Sequence, residues 1–143
     1  MTPSSRRLAF AAADLAADVK AENIVVLELR DVSSVADWFV LASGRSHIQV
    51  EAICERVRKG LAERCDELPL AVEGLEQARW AILDYGEVVV HVFQQSVREL
   101  YDIERLWSLA PRHEVPEADA TRATREADAR GTAEADPRAA ATA

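Results

Sequence analysis

Two apolar runs, Trp80–Leu83 and Val88–Phe93, flank the polar stretch Asp84-Tyr85-Gly86-Glu87. Both runs are rich in β-branched and aromatic residues, which favour strands. The stretch between them has the length of a tight connection, and Gly86 is free to take a positive φ. The pattern predicts a β-hairpin at the centre of the domain. The second run is apolar on both faces except at His91. A strand of that kind is usually covered on both sides.

Other elements follow from the spacing of apolar positions. From Ser5 to Ala21, Leu8, Ala12, Leu15 and Val19 recur at helical intervals while the charged residues fall elsewhere, so one stripe packs and the rest meets water. Asn23 ends this helix, and Ile24–Leu29 reads as a buried strand. Asp37–Ser43 is a further strand, broken by Gly44. Ser46 and Gln49 have the spacing of a reciprocal capping box, opening a helix that runs to about Cys65. Val50, Ile53, Cys54, Val57, Leu61 and Cys65 form its inner stripe. Pro69–Val72 suits a short edge strand, because proline cannot donate to a ladder. Ser96 and Glu99 repeat the capping-box spacing before Val97, Leu100, Tyr101, Ile103, Leu106 and Trp107, and Pro111 stops that element.

The resulting order is an α/β (α+β) domain, with helices packed on a mixed sheet of about five strands. It is expected over residues 1–111. From residue 112 to 143 Ala, Thr, Glu, Asp and Arg dominate and no aromatic remains. Such a stretch buries too little apolar surface to offset its ordering entropy, so 112–143 reads as a disordered, acidic and Ala-rich tail.

Charge narrows the partners. The 143-residue chain carries a formal charge of −8 and has a sequence pI of about 4.9. Nucleic-acid surfaces normally need a basic patch, so specific nucleic-acid binding is not expected, whereas a basic protein partner is compatible. No apolar run approaches the ~20 residues of a membrane span. The opening Ser4-Ser5-Arg6-Arg7-Leu8 is similar to a twin-arginine export signal, but Asp14, Asp18 and Lys20 interrupt the region that should be uncharged, favouring an amphipathic helix. Cys54 and Cys65 would lie roughly 16 Å apart along one helix, beyond the ~7 Å that a disulfide tolerates. A reducing, cytoplasmic setting is expected.

Candidate chemistry is sparse. Ser43-Gly44-Arg45-Ser46 stands between a strand and a helix, where backbone N–H groups can hold phosphate, and it is similar to the glycine-serine signature of nucleotidyltransferases. Those enzymes need paired carboxylates to hold Mg²⁺; here the first strand of the hairpin carries only Asp84, at its end, and the facing strand supplies His91 and no acid, so the pair is missing. His47, His91 and His113 suggest no triad. A plain strand–helix turn with an N-cap is therefore the stronger reading. Glu73, Glu76, Asp84 and Glu87 suit a solvated acidic rim, and Trp80 suits core or interface anchor equally.

Four stretches resemble one family in order and in spacing. They are Asp37–Ser46, Val72-Glu-Gly74, Trp80–Phe93 and Arg98–Trp107. They resemble the ribosomal silencing factor family, also called the Iojap family, over about residues 8–111. Trp38 is a departure, since relatives often carry Tyr or Leu there. The resemblance implies a nucleotidyltransferase-like fold without the catalytic acids, no enzymatic activity and no cofactor. It implies binding to the large ribosomal subunit through its fourteenth ribosomal protein, which sterically blocks joining with the small subunit and represses translation under nutrient limitation. It also implies a homodimer when free. Carried onto this chain, the family's binding residues fall on Trp80, Asp84, Tyr85 and His91, with Arg98 and Tyr101 as weaker candidates. The rival is a nucleotidyltransferase-like enzyme using Gly44, Ser46 and Asp84; a third possibility is a homodimeric scaffold without ribosome affinity.

Overall fold

The computed structural model describes residues 4–116. Six strands form one mixed sheet, in the order β3-β4-β5-β2-β1-β6. Along the chain the elements are α1 (Ser5–Asp18), β1 (Glu22–Glu28), β2 (Trp38–Gly44), α2 (His47–Cys65), β3 (Ala71–Glu73), β4 (Trp80–Asp84), β5 (Val88–Gln94), α3 (Gln95–Tyr101), α4 (Ile103–Leu106) and β6 (Arg112–Val115). The central pair, β2 and β5, is parallel, with Val40 opposite Val90; every other pairing is antiparallel.

The expected hairpin is β4–β5, with Ile82 opposite His91. Gly86 takes a φ of 88°, as its turn requires. Tyr85 N–H donates to Val88 O at 2.8 Å across the turn, and Gly86 N–H donates to Asp84 Oδ1 at 2.8 Å. The backbone N–H groups of Asp37 and Trp38 both donate to Glu87 O, fastening the turn to the start of β2.

The period of two along the strands sorts side chains between two cores. On one face Val26, Trp38, Val40, Ala81, Leu83, Tyr85, Val90 and Val92 meet α1 and α2. On the other, Val25, Leu27, Phe39, Leu41, Val89 and Phe93 meet Val97 of α3, Ile103 of α4, Trp107 and Ala110. The short α3–α4 segment cannot shelter that second face as two long helices shelter the first. Trp80 and Ile82 are only half-buried there, and Leu100, Tyr101, Leu106 and Leu109 project into solvent. Among the described residues no helix is long and apolar enough to cross a membrane.

Three expectations differ from the structure. Residues 112–115 are not tail: they form β6, antiparallel to β1, with Val25 opposite Glu114. His113 and Val115 turn inward and are buried while Arg112 and Glu114 face water. Residues 117–143 of the expected tail lie outside the described residues. The second discrepancy concerns Ser96, which is not an N-cap; α3 begins at Gln95, and Gln95 Nε2 donates to Glu99 Oε1. The third is the box at Ser46, which closes on one side only. Gln49 N–H donates to Ser46 Oγ at 3.1 Å, but the Gln49 side chain takes Arg45 N–H and donates to Lys20 O. Gln49 thus joins the start of α2 to the turn that follows α1, where Lys20 has a positive φ.

Trp38, the departure from the resembled family, lies in the first core at 1% exposure. Its indole N–H donates to Ser5 Oγ at 3.0 Å, and Phe10 meets its ring edge-on at 6.0 Å.

Candidate functional site

Alternation along β4 divides the predicted site residues. Trp80, Ile82 and Asp84 point to the thinly covered face, while Ala81, Leu83 and Tyr85 point to the helical one. On β5, His91 and Phe93 share the face of Trp80. The structure therefore gathers Trp80, His91 and Tyr101, with Asp84 at the turn end of β4. It sends Tyr85 and Arg98 elsewhere.

Trp80 lies over Phe93 with ring centroids 5.1 Å apart and planes 27° from parallel. Tyr101, from the end of α3, meets the same indole at 5.1 Å and is 58% exposed. Trp80 Nε1–H donates to His91 Nδ1 at 3.1 Å. The imidazole is 6% exposed and packs 4.6 Å from the Phe39 ring. Burial in this aromatic surround disfavours the imidazolium and pushes the His91 pKa down to about 4, so the ring is neutral near pH 7. Beside Trp80 and Tyr101 opens a cleft of about 530 Å³, lined also by Leu75, Glu76, Gln77 and Arg79. Gly74 lies on its wall with φ 80°, so close to Trp80 that a Cβ there would collide with the Trp80 carbonyl oxygen.

Asp84 is half-buried, and one of its oxygens holds the turn through Gly86 N–H. Tyr85 is buried against α2, which raises its phenol pKa to about 12; no protein group in the described residues bonds its hydroxyl. Arg98 is 4% exposed and is a clamp. Its Nε and Nη2 donate to the two oxygens of Glu104 at 2.9 and 3.1 Å, and Nη1 donates to Ser43 Oγ at 2.9 Å and to Asn23 O. Asn23 has a positive φ and sits in the irregular stretch of β1 between Glu22 and Val25. Arg112 of β6 donates to the same Glu104 at 2.8 Å. The hydrogen bond from Arg98 is the main cause that holds the Glu104 carboxyl below its usual range. One guanidinium thus ties α3, α4, β1 and β2 together, and Glu104 extends the tie to β6.

The glycine-serine stretch is also occupied from within. Ser43 Oγ receives Arg98, Ser46 Oγ caps Gln49, and Gln49 takes Arg45 N–H. Two of the N–H groups that would cradle a phosphate are thereby engaged by side chains. Among the described residues no group of three or more His, Cys, Asp or Glu side chains is placed to hold a metal ion.

Sequence reasoning missed the exposed apolar side chains of Leu100, Leu106 and Leu109 beside this face; Leu109 is 89% exposed. The signal was present as three leucines in a segment, α3, α4 and the turn after them, too short to bury every apolar residue it carries.

Comparison with known proteins identifies the family and the fold. Residues 2–140 match the family described as "Ribosomal silencing factor during starvation". Ribosomal silencing factor RsfS of Halalkalibacterium halodurans is 41% identical over 108 residues, covering 76% of this chain and 92% of that protein. The RsfS of Bacillus subtilis is 40% identical over 108 residues, covering 73% and 86%. The crystal structure of a Chromobacterium violaceum protein superposes with a TM-score of 0.71 at 32% identity, over 74% of this chain and 88% of that one. The chain belongs to the ribosomal silencing factor family.

Proposed function

We propose that this protein binds the large ribosomal subunit through its fourteenth ribosomal protein and sterically blocks joining with the small subunit. Translation would thereby be repressed in the cytoplasm under nutrient limitation. The observation that carries the reading is the half-buried Trp80, paired with exposed Tyr101 on a sheet face that α3 and α4 leave partly open. Aromatic anchors of this kind supply most of the energy of protein interfaces. The formal charge of −8 suits a basic ribosomal protein and poorly suits rRNA.

The docking set is Trp80 and Tyr101 with Asp84 at the rim. His91 supports it from beneath through Trp80, whereas Tyr85 and Arg98 are buried away from it and serve the fold. In isolation the protein forms a homodimer. It acts by occupying space and catalyses no reaction: among the described residues no group of three or more His, Cys, Asp or Glu side chains gathers at Asp84 to hold the Mg²⁺ that a nucleotidyltransferase needs.

Sedimentation of the protein with purified large subunits, small subunits and both tests the proposal. The expected result is co-sedimentation with the large subunit alone and a lower yield of joined ribosomes. Equal binding to both subunits, or undiminished joining at saturating protein, overturns it.

A further inference from the structure

Trp80 is stacked on Phe93 and flanked by Tyr101, but stacking does not fix how an indole is turned. Rotation about a terminal sp³–sp² bond is soft and roughly two-fold, so a flipped ring keeps much the same face against Phe93. What distinguishes the two orientations is where Nε1–H points. Here it donates to His91 Nδ1 at 3.1 Å.

The imidazole has an unusual balance for a buried group. Because Nδ1 accepts, the neutral ring carries its proton on Nε2. Nε2 is buried, and no protein group in the described residues accepts from it. An unpaired buried donor opposes folding. A leucine or phenylalanine would fill the space beside Phe39 and Phe93 without that penalty. Packing therefore does not call for a histidine at this position. The imidazole supplies one thing a hydrocarbon cannot, an acceptor for the indole.

We infer that His91 is a positioning residue: its bond to Trp80 Nε1–H holds the indole in the orientation that meets the large subunit, and His91 itself touches no partner atom. The inference rests on the docking role proposed above for Trp80. Its effect is pre-organisation, because an anchor already in its bound rotamer loses less freedom on association.

The test is a double-mutant cycle on large-subunit affinity, using the full chain, Trp80→Phe, His91→Leu and the double variant. Each single change is expected to raise Kd about tenfold. The double variant is expected to stay near tenfold, because a phenylalanine ring at position 80 has no N–H for residue 91 to hold. In the free protein, His91→Leu should shift the ¹⁵N-indole signal of Trp80 and speed its exchange with water, while the melting temperature holds or rises. His91→Gln, which offers an oxygen acceptor, should recover part of the affinity.

Losses that multiply to about a hundredfold in the double variant would overturn the inference. So would parent affinity in His91→Leu, or an unmoved indole signal. Failure of the parent chain to bind the large subunit at all would overturn the docking reading and the positioning role together. Binding by the parent with additive losses would overturn the positioning role alone.

Discussion

Arg98→Met separates the two roles open to this arginine, docking contact or internal clamp. In the structure the guanidinium is 4% exposed and makes four hydrogen bonds, two of them to Glu104. Methionine fills much of the same volume and removes every donor. Breaking a buried ion pair from one side costs about 3–5 kcal/mol, chiefly because the remaining charge is left unpaired. Glu104 keeps the bond from Arg112 and has a side chain 17% exposed, so the lower end applies, about 3 kcal/mol. For a domain of this size that corresponds to a fall in Tm of roughly 10–15 °C. Arg98→Met/Glu104→Leu removes the stranded carboxylate as well, and should recover about half of the loss. Thermal melting at pH 7, followed by circular dichroism, measures both. Below its own melting temperature the single variant should bind large subunits like the parent. A melting temperature within about 2 °C of the parent would refute the clamp. A double variant no more stable than the single one would refute the stranded-charge reasoning. Lost binding with unchanged melting would return Arg98 to the docking surface.

Five further outcomes rest on the same geometry. His91 has its pKa lowered from 6.5 to about 4, so the unfolded chain takes up a proton first. Stability should therefore fall by about 3 kcal/mol as pH drops from 6.5 to 4, and His91→Leu should remove that part of a denaturant-measured pH profile. Trp80→Ala should cost about 1–2 kcal/mol of stability, since the ring is only half-buried, and about 2 kcal/mol or more of large-subunit binding. Asp84→Asn keeps an acceptor for Gly86 N–H and should melt normally, yet bind less well at low salt, where exposed charge pairs are least screened. A chain ending at Pro111 loses β6 and the bond from Arg112 to Glu104, and should lose about 2–4 kcal/mol by denaturant titration. One ending at Pro116 should match the parent in melting and binding.

How much of this was readable in the sequence depends on the distance over which each cause acts. The β4–β5 hairpin, the α2 stripe and the Ser46 cap are local patterns, and all three are present. Strand β6 was not readable, because two buried side chains, His113 and Val115, make too weak an alternation within a polar stretch. Its burial is decided by β1, far away along the chain. The role of Arg98 was hidden for the same reason. Glu104 lies six positions on, but Asn23 and Ser43 are 75 and 55 positions away, and spacing alone does not bring them together. Tyr85 was placed in the docking set by the family resemblance, although strand parity sends its side chain to the opposite face, against α2. In Ser46 and Gln49 the motif was legible and half its use was not: Gln49 found a better partner in Arg45 N–H.

The strand order also dictates when the domain can be finished during synthesis. Helix α1, strands β1 and β2 and helix α2 emerge first, and β1 can pair with β2 at once. The other edge of β2 must wait for β5, because Val40 pairs with Val90. Until then the most apolar strand of the nascent chain presents an open ladder, the feature that invites association with neighbouring chains. The outer edge of β1 waits longer still, for residues 112–115. Long-range pairings of this kind slow folding, since the loops between partners must close before any contact rewards them. The last few described residues therefore act as a latch: a growing chain paused short of residue 112 lacks the strand that covers β1.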